Sequence, residues 1–157
     1  MPAKRLKDFL DSNQVKYVAI THSLAYTSQE IAQSVHIPGN KLAKTVVVKV
    51  DGKMAMAVLP GTEKVSVDML KEATGAATVE LATEREFQDR FPECDIGAMP
   101  PFGNLYGMDV YASPHLAKHE IAFNAGTHTE VIRMPYQDWE RLVMPKIVEL
   151  SRQPMMA

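Results

Sequence analysis

The chain has 157 residues, of which 46% are hydrophobic and 23% charged, a composition close to the average of soluble globular proteins. Its net charge of -2 gives no sign of a nucleic-acid partner, since phosphate binders usually carry a basic excess, and its single cysteine, Cys94, excludes a disulfide-built secreted scaffold. Without an apolar run near the ~20 residues that span a bilayer, and without the apolar core of a signal peptide, the sequence predicts one cytoplasmic domain over residues 1–157.

The first third of the chain predicts two short helices and a strand. Leu6, Phe9 and Leu10 are spaced as on one face of an amphipathic helix over residues 4–10. The β-forming run over residues 15–20 predicts a strand. Residues 27–30 have the capping-box pattern and predict a second helix, which ends near residues 38–40.

The centre of the chain predicts a β-hairpin. Two apolar runs, residues 45–50 and 54–59, are joined by Asp51 and Gly52, and this dipeptide favours a two-residue hairpin turn. Ser66 is positioned to cap a helix that ends at Gly75, and a strand over residues 78–81 precedes a second capping box at residues 83–86.

The last third predicts strands around an irregular loop. Glycines and prolines crowd the loop at residues 97–103, and strands are expected at residues 106–112, 120–124 and 129–134. Pro135 at a first helical position predicts a last helix that contains Trp139, and the tail from residue 153 is expected to fray. Helices and strands mix without regular βαβ alternation. The predicted fold class is therefore α/β, with a mixed, largely antiparallel curled sheet and short helices packed outside.

Lys44 is the first candidate functional residue. It lies at the mouth of the predicted hairpin, where an ammonium group can reach into a cleft and bind a phosphate, a ribose hydroxyl or a developing oxyanion. The alternative is a solvated lysine beside Lys41 and Lys49, and long charged side chains are mostly exposed. Spacing alone leaves both readings open and favours the solvated one.

The loop at residues 97–103 is the second candidate. Gly97 lets the backbone approach a ligand, and Pro100 and Pro101 stiffen the segment, so adjacent backbone N–H groups can form an oxyanion hole for ester hydrolysis. An ordinary rigid turn between strands has the same composition. The sequence leaves both interpretations open.

The five histidines give a weaker signal. They are His22, His36, His115, His119 and His128. His115 and His119 are four residues apart, as in a helical metal pair, but no glutamate stands between them in the H-E-x-x-H manner, so no metal site or cofactor is predicted. His128 follows a glycine turn at a strand start, where a side chain reaches the rim of a cleft, but a lone histidine there is more often a hydrogen-bonded loop residue than a base. Cys94 has no nearby histidine, so a thiol nucleophile is not expected.

Several of these segments together resemble the YbaK type of aminoacyl-tRNA deacylase, which is related to the editing domain of bacterial prolyl-tRNA synthetase. The resemblance runs in order from about His22 to Met144. The segments that carry it are Lys44-Thr45, Leu59-Pro60-Gly61, Gly97-x-x-x-Pro101 and Phe123-Asn124-Ala125-Gly126 with Thr127-His128. It implies a single editing domain that hydrolyses a mischarged amino acid from the 3′ end of a tRNA, typically tRNA-Pro that carries alanine or cysteine.

The resemblance also implies roles for residues. The lysine that matches Lys44 contacts the terminal ribose and the aminoacyl ester, the Gly97 loop supplies backbone donors around the carbonyl, and water or a ribose hydroxyl attacks. His128 resembles the histidine of the alanine-editing branch, which makes alanine the preferred substrate and cysteine the next; that branch carries asparagine where this chain has Thr45. The catalytic positions are Lys44, Gly97 and His128. The substrate-binding positions are His22, Tyr26, Thr45, Ala98, Met99, Pro101, Asn124 and Gly126.

The implied partner is the aminoacylated 3′ end of a tRNA, with prolyl-tRNA synthetase or an elongation factor beside it and no DNA or membrane. Such a protein would contact few tRNA phosphates. The basic residues available for these contacts are Lys4, Arg5, Lys7, Lys41, Lys44 and Lys49. Two other functions remain open. One is a non-catalytic module that binds a small ligand or a protein, and the other is a hydrolase of free amino-acid esters.

Overall fold

The computed structural model describes residues 2–21, 37, 41–91, 94–95 and 97–152. Its first two elements are an N-terminal helix and a strand. Helix α1 (Pro2–Ser12) buries Leu6 and Leu10 and confirms the predicted helix. Its end is closed by a turn in which the Val15 N–H donates to the Leu10 carbonyl at 3.0 Å. This turn uses residues that were predicted to be extended, so strand β1 (Val18–Thr21) begins later than predicted. The helix predicted after residue 27 lies outside the described residues.

The central hairpin is confirmed. Strands β2 (Ala43–Val50) and β3 (Lys53–Pro60) pair antiparallel through a turn in which Asp51 and Gly52 both have a left-handed backbone, with φ of 51° and 81°. That conformation matches the twist of the two strands, which is why the Asp-Gly pair favours this turn.

The hairpin forms the middle of a five-stranded sheet with the order β5-β2-β3-β6-β9. Its other strands are β5 (Val79–Leu81), β6 (Asp109–Ala112) and β9 (Lys146–Ile147). Strands β3, β6 and β9 run parallel and β2 runs opposite to them. The start of β2 and the ends of β3, β6 and β9 therefore meet at one edge of the sheet.

A second sheet has the order β1-β8-β7 and contains β7 (Glu120–Asn124) and β8 (Glu130–Pro135). A parallel bridge between Leu42 and Ala122 joins it to the start of β2. A third, two-stranded sheet pairs β4 (Lys64–Val65) with β10 (Ser151–Arg152). The mixed α/β class is confirmed, with the strands divided among three sheets. Strands β4, β9 and β10 were not predicted.

Three further helices lie between the strands. Helix α2 (Val67–Thr74) has the predicted Ser66 cap, and α3 (Glu84–Phe87) begins with the predicted capping box at Thr83. Helix α4 (Tyr136–Val143) is confirmed, but the prediction that Pro135 is its first residue is wrong. Pro135 has an extended ψ of 133°, because it still pairs with Glu120 as the last residue of β8.

Strand β6 is shorter than the predicted 106–112. Its first three predicted residues form a turn, in which the Met108 N–H donates to the Gly103 carbonyl at 2.9 Å and Gly107 has a φ of 67°. Short 3₁₀ turns occupy Gln88–Arg90 and Gly103–Leu105. Within the described part of the chain, no helix has both the length and the apolar character needed to cross a membrane.

Candidate active site

Backbone hydrogen bonds tie the loop that begins at Asp95 to the turn after β7. The Asp95 N–H donates to the Gly126 carbonyl at 2.8 Å, and the Gly126 N–H donates to the Ala98 carbonyl at 2.9 Å. The Asp95 Oδ2 also accepts from the His128 backbone N–H at 3.3 Å. The structure thus brings together two segments that the sequence singled out separately.

Gly97 faces the ring of His128. Its φ is 87°, a left-handed conformation that side chains rarely adopt, and a Cβ at this position would lie 3.6 Å from His128 Cε1. His128 is 8% exposed, which is low for a polar ring. The two residues therefore form one wall of the candidate site, where backbone and imidazole are held against each other.

The remainder of the loop is rigid and buried. Ala98, Met99 and Pro101 are buried, and the indole Nε1–H of Trp139 donates to the Pro101 carbonyl at 3.0 Å. The Ala98 N–H is already used by the Asp95 carbonyl at 3.0 Å. Among the described residues no acceptor takes the N–H groups of Gly97 and Met99, so these two are the donors that the loop can offer to a ligand.

Lys44 lies beside the turn after β7. From the bridge between Leu42 and Ala122, the two chains run in the same direction, and Lys44 and Asn124 each stand two residues further on. Because side chains alternate along strands, Lys44 and Asn124 share the face of the bridge residues, whereas Thr45 belongs to the opposite face. Within the described residues no group donates to the buried Oδ1 of Asn124.

The ammonium group of Lys44 is only partly solvated. Burial is the main cause that lowers the pKa of Lys44, the like charge of Lys64 lowers it further, and the carboxylate of Glu63 acts in the opposite direction. No hydrogen bond or ion pair links Lys44 to either loop in the described part of the chain. Lys44 therefore remains a candidate for binding a ligand.

A buried polar network around Glu63, whose charge acts on Lys44, was missed by the sequence analysis. Glu63 is 4% exposed, and its Oε1 takes hydrogen bonds from His115 Nδ1 at 2.8 Å and Ser151 Oγ at 2.7 Å. The other His115 nitrogen lies 3.2 Å from Glu149 Oε2. These residues are far apart in sequence, so no local pattern marks them. His115 is engaged by carboxylates, and residues 114–119 are not helical, so the helical histidine pair does not exist.

Two predicted substrate-binding residues, His22 and Tyr26, lie outside the described residues. The other predicted positions fall into three places. Gly97, Ala98, Met99 and Pro101 line the loop, Asn124, Gly126 and His128 form the turn after β7, and Lys44 and Thr45 stand at the start of β2.

Comparison with known sequences identifies relatives over most of the chain. A family model described as an aminoacyl-tRNA editing domain matches residues 22–142. The multifunctional Ser/Thr-tRNA deacylase ProXp-y of Escherichia coli (strain K12) is 27% identical over 158 residues, which cover 95% of this chain and 92% of that protein. The proline–tRNA ligase of Bacillus mycoides (strain KBAB4) is 28% identical over 94 residues, which cover 60% of this chain and 16% of the ligase.

Comparison with solved structures gives the same fold. A protein described as a candidate trans-editing enzyme for prolyl-tRNA synthetase superposes with a TM-score of 0.81 at 20% identity, with 96% of this chain and 97% of that chain covered. The hypothetical protein APE2540 superposes with a TM-score of 0.85 at 15% identity over 95% of this chain and all of that chain. At these identities the likeness concerns the fold alone.

Proposed function

Because this chain belongs to the aminoacyl-tRNA editing domain family, and is accordingly an aminoacyl-tRNA hydrolase, we propose that it edits mischarged tRNA-Pro in trans, with alanine as the first substrate and cysteine as the second. Family membership favours this enzyme over a non-catalytic module on the same fold. The proposal assigns catalysis to Lys44, Gly97 and His128.

One observation carries the proposal. The bridge between Leu42 and Ala122 sets Lys44 and Asn124 on a common face, next to the hydrogen-bonded loops that hold Gly97 against His128. The proposal assigns the Lys44 cation, the buried Asn124 amide oxygen and the backbone N–H groups of the Gly97 loop to one bound substrate. This is the set of groups that an aminoacyl ester, with its ribose oxygens, carbonyl and amino group, requires.

The chemistry follows from where charge develops. Water attacks the ester carbonyl and releases a proton to the solvent as the carbonyl oxygen becomes negative, and the proposal assigns the N–H groups of Gly97 and Met99 to stabilise that oxygen. The bond to the ribose oxygen then breaks, and that oxygen gains a proton as the amino acid leaves. The Lys44 ammonium is assigned to the ribose, since partial burial lowers its pKa and makes it a stronger proton donor than a solvated lysine.

Serine and threonine are a second candidate pair of substrates. The relative from Escherichia coli is named a Ser/Thr-tRNA deacylase. In this chain the buried Oδ1 of Asn124 has no donor among the described residues and can accept a hydrogen bond from a substrate hydroxyl. Alanine lacks that hydroxyl, so the relative rates on alanine and serine separate the two candidates.

A deacylation panel tests the proposal. Transfer RNA-Pro charged with Ala, Cys, Ser, Thr or Pro is incubated with the parent protein and with Lys44→Ala. We expect fastest hydrolysis of the alanyl ester, no hydrolysis of the prolyl ester, and a loss of about 10²–10³-fold in Lys44→Ala, the size of effect seen when one oxyanion-stabilising donor is removed.

Lys53→Ala is the matched control, because Lys53 is exposed at the far end of the same hairpin. It is expected to retain the parent rate. A folded Lys44→Ala variant with the parent rate on every ester would overturn the catalytic assignment. Faster hydrolysis of seryl or threonyl esters than of alanyl esters would replace the proposed substrate by the second candidate.

A further inference from the structure

Glu63 lies in the turn after β3, at the edge of the five-stranded sheet where β2 begins and β3 ends. Of the acidic side chains in the described residues, it is the only buried one. A buried carboxylate is costly unless it is hydrogen-bonded or paired with a positive charge. Such a group needs bonded partners, and the structure supplies them from two distant segments of the chain, at His115 and Ser151.

Hydrogen bonds fix the position of Glu63. The Glu63 N–H donates to the Pro60 carbonyl at 3.0 Å, and the Gly61 N–H donates to the Leu42 carbonyl at 2.7 Å, so the turn after β3 is folded against the start of β2. His115 Nδ1 and Ser151 Oγ hold the carboxylate itself, at 2.8 and 2.7 Å. The side chain has little freedom to move away from the lysine.

Glu63 is the negative charge that offsets the effects of burial and of Lys64 on Lys44. Burial and the neighbouring Lys64 both disfavour the ammonium form of Lys44 and lower its pKa, and Glu63 is the group that opposes them. Lys44 stands opposite Leu59 in the hairpin, one residue before the end of β3. The turn that carries Glu63 begins at that end.

We propose that Glu63 is a positioning residue for Lys44: a fixed, buried counter-charge that keeps the lysine protonated and directed at the ribose end of the substrate. The proposal rests on the function proposed above. Glu63 itself touches no substrate and acts only through Lys44. His115 and Ser151 hold the carboxylate in turn.

The titrating groups around Glu63 come from every neighbouring element. His115 contacts it from the segment after β6, with Glu149 and Lys118 acting on the same imidazole. The charges of Glu63 and of Lys64, on β4, both act on Lys44 in β2. A pH profile must therefore be compared among variants rather than interpreted alone.

The test is Glu63→Gln, which retains the side-chain shape and removes the charge. We expect the alkaline limb of the pH profile of kcat/KM to move down by about one unit, the lower end of the shift that an opposite charge produces. On that limb the rate at a given pH then falls about tenfold, while the acid limb is retained. A residue with a purely structural role would lower the rate at every pH without moving the limb.

The pKa of Lys44 is measured separately by competitive acetylation of the free protein, followed by mass spectrometry. This measurement needs no turnover, so it tests Glu63 even if the proposed substrate is wrong. We expect Lys44 to become reactive at lower pH in Glu63→Gln. Glu63→Asp, which keeps the charge, is expected to lie closer to the parent than to Glu63→Gln, and it is the variant to use if Glu63→Gln does not fold.

Two variants complete the design. Glu149→Gln removes an exposed carboxylate on the other side of His115 and is expected to leave the alkaline limb in place. Lys64→Gln removes the like charge and should move the limb upward. An unchanged Lys44 pKa in folded Glu63→Gln, or equal shifts in Glu63→Gln and Glu149→Gln, would overturn the proposal. A shifted pKa without deacylase activity would instead refute the proposed function alone.

Discussion

His128 is fixed at its backbone by a hydrogen bond, and its imidazole ring packs against Gly97. Its backbone N–H donates to Asp95, and its ring lies over Gly97, whose left-handed φ of 87° disfavours any side chain there. Under the proposed function, we expect this ring, next to the proposed oxyanion donors, to contact the amino-acid side chain of the substrate. His128 is therefore expected to affect substrate choice more than folding.

We predict that His128→Ala changes the ratio of kcat/KM between alanyl- and cysteinyl-tRNA-Pro by about tenfold, which is the scale of a few contacts in a small pocket. The measurement is single-turnover deacylation on both substrates. His119→Ala serves as the control, because His119 is exposed and lies outside both loops. An unchanged ratio and an unchanged rate would remove His128 from the site.

At the scale of elements, helix α4 supports the loop at residues 97–101. Trp139 is fully buried, and its indole N–H is the donor for the Pro101 carbonyl at 3.0 Å. The prolines stiffen the loop, but stiffness alone does not set its position against the turn after β7. The helix contributes a directed hydrogen bond to this position, and Trp139 belongs to the same buried cluster as Met99 of the loop.

Trp139→Phe retains an aromatic ring but leaves the Pro101 carbonyl without its donor. We expect a loss of about 1–3 kcal/mol in the free energy of unfolding, the cost of an unsatisfied buried polar group together with the smaller ring. Thermal unfolding measures the stability, and the rate of deacylation of alanyl-tRNA shows whether the position of the loop has changed. Tyr111→Phe, in an aromatic residue of the central sheet, is the control for activity. A variant as stable and as active as the parent would contradict this role for α4.

At the scale of the whole molecule, His115 links the turn after β3 to the C-terminal segment. The hydrogen bond to Glu63 is the main cause that raises the pKa of His115, and Glu149 adds to it. The protonated form is therefore favoured in the folded state. Its contribution to stability is fully present below the ordinary pKa of 6.5 and is lost as the pH rises through the raised value.

We predict that the free energy of unfolding of the parent falls as the pH is raised from about 6.5, relative to His115→Gln. Urea denaturation at a series of pH values gives both curves. His119→Gln should follow the parent, since its exposed side chain is outside the network. Parallel curves for the parent and His115→Gln would show that the link carries no pH-dependent stability.

The distribution of charge sets how a tRNA can be held. Of the basic residues that the sequence offered, Lys4 pairs with Asp8 at 2.9 Å, Lys7 with Glu130 at 2.8 Å, and Lys49 with both Glu80 and Glu86. Arg5 lies over the ring of Tyr106. Few of these charges are available to phosphates, which agrees with a protein of net charge -2.

We predict that the affinity for aminoacyl-tRNA depends weakly on salt. If about three basic residues contact phosphates, the slope of log K against log salt is about -2 to -3. Filter binding of a non-hydrolysable analogue between low and moderate salt measures it. A slope near -6 or steeper would require a phosphate-binding surface elsewhere on the molecule.

Sequence by itself determined the features that depend on neighbouring residues. The Asp51-Gly52 turn, the Ser66 cap and the Thr83 capping box act within a few residues, so their patterns predicted the hairpin and two helices. Resemblance over an ordered set of motifs also predicted the family. The prediction that Pro135 begins a helix was wrong, because pairing with Glu120 keeps Pro135 extended despite the preference of proline for a first helical turn.

Only the tertiary structure decided which of these residues meet. The bridge between Leu42 and Ala122 joins segments 80 positions apart in the sequence, and it is this contact that sets Lys44 beside Asn124. Strands β9 and β10 are two residues long and exist through pairing with distant partners. The Glu63 network also depends on residues that are distant in the sequence. A buried carboxylate depends on donors from distant segments, and only the folded chain brings His115 and Ser151 within hydrogen-bonding distance of it.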